Sequence, residues 1–215
     1  MNIEQLTADF SPTPKRIAPS IAMLVWLAGS MIWTWVVSLW LGPLRPNLAE
    51  QMVVNPVYMV ELATGLAAIC ALFWAAMCHA VPGYPARRMT WIGLFLTTLW
   101  IGSIVWGFLQ SAGTHSMLGK RPHCEWEVFL ISTPPILCGV ILQIRRYALQ
   151  PVQAAWVAGL GAGLIPAWIM QVACMHEPAH ALSHHIAPAI IMGIIAALVV
   201  AWMVRSGYFS GNDTA

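Results

Sequence analysis

Six apolar runs, each about long enough to cross a bilayer, leave this chain few folds to choose from. A spanning helix needs roughly 20 mainly apolar residues to cross the ~30 Å hydrocarbon core. Runs of that kind lie at approximately 19–41, 57–80, 89–110, 128–145, 151–173 and 185–204. The reading is an all-α polytopic membrane protein, a bundle of six transmembrane helices. Composition agrees: 59% of the 215 residues are hydrophobic and only 8% charged, far from an ordinary soluble domain. Short connections leave no room for a separate soluble domain. The division is 1–18 as an N-terminal segment, 19–205 as the membrane domain and 206–215 as a tail. A formal charge of +2 is too small to suggest direct contact with nucleic acid. The first run is too long for a signal-peptide core and lacks a well-placed small-residue cleavage site, so it is read as a span.

Lys/Arg bias sets the expected orientation. Lys15, Arg16, Arg87, Arg88, Arg145, Arg146 and Arg205 share one side, against Arg45, Lys120 and Arg121 on the other. Both termini are therefore expected in the cytoplasm, with membrane lipid as an obligatory partner. Trp40, Trp106, Trp126 and Trp168 then fall near the outer interface, and Trp91, Trp156 and Trp202 near the inner one. Within the spans, Gly159 and Gly163 have the spacing that lets a second helix approach closely. Pro134-Pro135 is expected to break or kink the fourth span. Glu61 is costly in lipid and should face protein, with Arg45 the nearest cation in sequence.

Two polar islands interrupt the apolar pattern, and both fall on the outer side. One runs from Cys174 to His185 and holds four of the seven histidines: His176, His180, His184 and His185. The other places His123, Cys124, Glu125 and Glu127 at the edge of the fourth run, with His115 upstream. His176-Glu177-Pro178-Ala179-His180 fits the zinc-protease expression HExxH, whose chemistry needs both histidines on one helical face. Pro178 opposes that reading, since proline is comfortable only in a helix's first turn and would leave His176 outside the helix. No enzyme activity is expected. A helix starting at Pro178 would put His180 and His184 one turn apart on one face. The thiols of Cys124 and Cys174 with the imidazoles of His123, His176, His180, His184 and His185 make a donor set suited to Cu, Zn or Cd rather than Mg or Ca, with His123, His176, His180 and His184 the expected imidazole ligands. The same residues are compatible with a disulfide between the two cysteines and histidines merely tolerated in exposed loops. No resident cofactor is required; a soft metal ion enters as a possible signal.

The order of these features resembles the NrsF family of six-span bacterial anti-sigma factors, negative regulators of the extracytoplasmic-function sigma factor SigF. The resemblance rests on Leu6-Thr-Ala-Asp-Phe-Ser-Pro-Thr-Pro-Lys-Arg16 before the first span, Leu44-Arg-Pro-Asn-Leu48 after it, and Asn55-Pro56 with Glu61 opening the second. Ala80-Val-Pro-Gly83 closes that span, and Cys124, the glycine-rich fifth span, Cys174 and the polar segment before the sixth follow in order. It implies an inner-membrane protein that holds a sigma factor and releases it on an extracytoplasmic stress. It also implies Cys124 and Cys174 as the metal-responsive pair. Leu6 and Phe10 are the expected apolar anchors for the sigma factor, with Lys15 and Arg16 positioning them at the membrane. The rival reading is a small membrane metal transporter using the same Cys/His face. Against it, the mid-span candidates are only Cys70, Cys138 and scattered Met, with no charged relay.

Overall fold

A computed structural model describes residues 17–110, 119–146, 148–175 and 177–207. Among them are seven helices and no strand: α1 (Pro19–Leu41), α2 (Leu48–Val54), α3 (Pro56–His79), α4 (Ala86–Gln110), α5 (Cys124–Arg145), α6 (Pro151–Ala173) and α7 (Pro178–Arg205). All but the short α2 are long and apolar enough to cross a membrane. Prolines open α1, α3, α6 and α7 in the first turn, where the missing N–H costs nothing. Leu6, Phe10, Lys15, Arg16, His115 and His176 lie outside the described residues.

Helix α6 is the axis of the bundle, nearly wholly buried and packed against α1, α3, α5 and α7. Its glycines allow this. A Cβ at Gly159 would come within 2.8 Å of Ala196 Cβ, and one at Gly163 within 2.8 Å of the Ala189 carbonyl oxygen. Gly193 of α7 reciprocates, its missing Cβ leaving room for the Leu160 backbone at 3.0 Å. The small-residue spacing thus sets how closely α6 and α7 approach. In contrast, α1 and α4 present most of their apolar surface outward, as lipid-facing helices do.

The two prolines of α5 do not break it; the helix runs unbroken from Cys124 to Arg145. Pro135 has no N–H to give the Ile131 carbonyl, and Trp33 Nε1 donates to that oxygen instead at 3.0 Å. Trp26 Nε1 donates to the Pro135 carbonyl at 2.9 Å. The Trp33 indole from α1 therefore supplies one of the two donors that the prolines remove. Elsewhere Trp168 Nε1 donates to the Leu62 carbonyl at 2.7 Å and Gln143 Nε2 to that of Ala76 at 2.9 Å, tying α6 and α5 to α3.

Three starts lie several residues upstream of the sequence reading. Helix α4 begins at Ala86 rather than 89, α5 at Cys124 rather than 128, and α7 at Pro178 rather than 185. The polar islands are thus helix starts as much as loops. Glu125 and Glu127 sit in the first turn of α5, where carboxylates complement the helix dipole. Glu177 caps α7, accepting from the N–H groups of Ala179 (3.1 Å) and His180 (2.6 Å).

Candidate functional site

The alternating direction of successive spans brings the starts of α5 and α7 and the end of α6 to one end of the bundle. Cys124 is the first residue of α5 and Cys174 the residue just after α6. His180 and His185 lie in the first turns of α7. One ligand atom from each of these four residues falls within 4.8 Å of every other. All four are buried, His180 at 7% exposure and the others at 0%.

The sulfurs of Cys124 and Cys174 are 3.0 Å apart and unbonded, against about 2.05 Å for a disulfide. Cys174 Sγ is 3.4 Å from His180 Nε2, and the Cys124 thiol donates to the Arg121 carbonyl at 3.4 Å. Both ring nitrogens of His185 are buried with no hydrogen-bond partner. A buried imidazole left unpaired is expensive. A metal ion among the four donors would satisfy it. Tetrahedral Zn takes Cys and His at about 2.0–2.3 Å and so spaces its donors roughly 3.3–3.8 Å apart; the two sulfurs would part slightly and the wider-set donors draw in. The Cys124 thiol beside it holds Cys174 below the ordinary thiol range, opposed by burial and helped by the His180 imidazole.

A π-helical turn over Ala181–Ile186 determines which histidines meet the thiols. Pro188 cannot donate to the carbonyl four residues back and its ring crowds that carbonyl, so a wider turn relieves both problems. The wider turn carries His185 to the thiol side. Its ring lies edge-on to His180, with centroids 5.0 Å apart. His184 stacks on the other side of His180 at 4.3 Å and pairs through Nδ1 with Ser183 Oγ at 2.7 Å. The sequence reading paired His180 with His184 on α-helical spacing; among the donors that converge, His185 takes that place. His123 is the N-cap residue of α5 and lies outside the four-residue group. The helix containing His180 starts after His176, and the Glu177 carboxylate is engaged with backbone N–H groups, so the one-face geometry of HExxH is not formed.

Two arginines that the sequence placed in outer loops are buried beside this site. Arg121 pairs with Glu127 at 2.8 Å and donates to the carbonyls of Ser38 (3.1 Å), Gly42 (2.7 Å) and Pro43 (2.8 Å). It clamps the end of α1 to the turn that presents Cys124. Arg45 lies over the Tyr58 ring, 4.6 Å from its centroid, while the Tyr58 hydroxyl donates to the Gln171 carbonyl at 2.9 Å. Gln171, one turn before Cys174, also accepts from Trp100 Nε1 at 3.2 Å through its side chain. These supports went unread because they join residues far apart in sequence. The available signal was an arginine six residues ahead of a glutamate at the edge of an apolar run, where an unpaired carboxylate is costly.

Six spanning helices closing over two thiols and two imidazoles at one end define a polytopic membrane protein with a buried soft-donor site. The profile of the NrsF family, described as "negative regulator of sigma F", matches residues 6–205, and the chain belongs to that family. Membership implies negative regulation of a sigma factor, and a sigma factor as partner. Searches of the curated proteins and of the solved structures return no match.

Proposed function

We propose that this protein is an inner-membrane anti-sigma factor of the extracytoplasmic-function type, with Cys124, Cys174, His180 and His185 as its sensor. The observation that carries the reading is the convergence of four buried soft donors, one of them an imidazole with both nitrogens unpaired, in a chain of this family. In the resting state the sigma factor is held at the cytoplasmic face, with the segment bearing Leu6, Phe10, Lys15 and Arg16 as its anchor. A Cu, Zn or Cd ion arriving from the outer side binds the two thiolates and two imidazoles. Oxidation gives a related tie: the two thiols lose two protons and two electrons to an external oxidant and join as a disulfide.

Either event links the start of α5, the end of α6 and the start of α7. Release follows only if the tie favours one helix arrangement over another, because a ligand with equal affinity for both shifts nothing. Moving the sigma factor from 1% to 99% free takes roughly 5.5 kcal/mol of differential binding. Structural zinc sites, at ~10–16 kcal/mol, have ample capacity.

The test is transcription from a promoter read by the cognate sigma factor, in cells exposed to Cd or Cu. The wild type should switch the promoter on. Cys124→Ser/Cys174→Ser should leave it off while still repressing. Equal induction in both strains would remove the cysteines from the sensor.

A further inference from the structure

At the end of the bundle opposite the thiols lies a cavity of about 920 Å³ between the start of α4, the start of α6 and the end of α3. Its lining includes Arg87, Arg88, Gln150 and Gln153, with Trp91 and Trp156 beside them and no carboxylate. Neither arginine pairs with an acid among the described residues. The His79–Thr90 pair, 3.0 Å apart, adds further polar surface. No side chain caps α6 at Gln150, so its first-turn N–H groups add to the positive character of the wall.

From this cleft, with its two unpaired guanidinium groups, adjoining indoles and continuous apolar face, we infer a binding site for the phosphate headgroup of an anionic phospholipid. The apolar face selects a lipid over a soluble phosphate or a peptide. Leu94 lines the cleft, and Trp91 and Phe95, each 62% exposed, continue outward along α4, where acyl chains would lie. Trp91 and Trp156 lie in the second turns of α4 and α6, near the helix ends, where interfacial indoles are favoured. Basic pockets between spanning helices hold anionic headgroups in this way. The site is independent of the sensor reading. Its walls nonetheless include the helix that ends at Cys174, so a bound lipid would brace the far end of α6.

The experiment reconstitutes the full chain in phosphatidylcholine nanodiscs containing a minor fraction of phosphatidylglycerol and counts retained lipid by native mass spectrometry. Wild type should retain phosphatidylglycerol selectively. Arg87→Gln/Arg88→Gln, which removes charge, and Gln153→Trp, which fills the cleft and keeps charge, should each lower retention about tenfold. Arg205→Gln, at the same end but outside the cleft, should not. Unchanged thermal melting and Cd binding at the thiol end show that the variants are folded. The proposal is overturned if the cleft variants retain lipid like wild type, or if Arg205→Gln loses as much. Displacement by soluble glycerol 1-phosphate, or a cleft needed for sigma-factor capture but not for lipid, would also overturn it.

Discussion

Side chains at the thiol end differ in what a change in each should do. Cys124→Ser, Cys174→Ser and His185→Ala should each weaken Cd binding by about 100-fold, followed through thiolate-to-cadmium charge-transfer absorbance. His184→Ala should change it little, because that ring faces Ser183. Equal losses at His184 and His185 would mean that α-helical spacing was the better guide. Cys174, held below the ordinary thiol range, adds stability to the metal-free protein that grows with pH across the range where it is ionised in the fold but still protonated when unfolded. That contribution is complete near the free-thiol value of about 8.5 and is lost as pH falls through the lowered value. The stability gap between chelator-treated wild type and Cys174→Ser should therefore widen from pH 6 to pH 8 in thermal melts. Arg121→Met leaves Glu127 buried without its cation and should cost about 3–5 kcal/mol. The double change Arg121→Met/Glu127→Leu should recover much of that loss. Cys124 and Cys174 were legible as a pair because both border polar islands; His185 was legible only as one of several imidazoles on offer, since choosing it over His184 requires knowing the local turn.

The helices carry a second set of expectations. Gly159→Val and Gly163→Val push a side chain against the α7 backbone and should destabilise the bundle by about 1–3 kcal/mol. Gly29→Ala, with nothing within 4 Å of the new Cβ, should be neutral or slightly stabilising, and thermal melts of the three variants check the contrast. Pro188→Ala restores a donor to the helix and removes the crowding that favours the π-helical turn. It should draw α7 towards α-helical register and weaken metal binding about tenfold by displacing His185. Apolar runs located all six spans, and the glycine pair announced the α6–α7 contact. The starts of α5 and α7 were set too late because Cys124, Glu125 and His180 read as loop residues by polarity. Each is tolerated in a helix by a cap, a dipole or a buried partner. The survival of α5 across Pro134-Pro135 was equally hidden, since the compensating indole comes from α1.

For the whole molecule, the buried thiol–imidazole site and the arginine-rich cleft occupy opposite ends of one bundle, and α6 runs between them. In the proposed mechanism, an ion bound at the thiol end acts on the helix that runs to the other end. Membership of the family supplies the partner that the fold alone does not name. The most direct test purifies the full chain in detergent with its cognate sigma factor bound, then adds Cd. The account predicts that the wild type releases the sigma factor and that Cys124→Ser/Cys174→Ser keeps it. Retention by the wild type with Cd bound at the site, or release from both proteins alike, would contradict it.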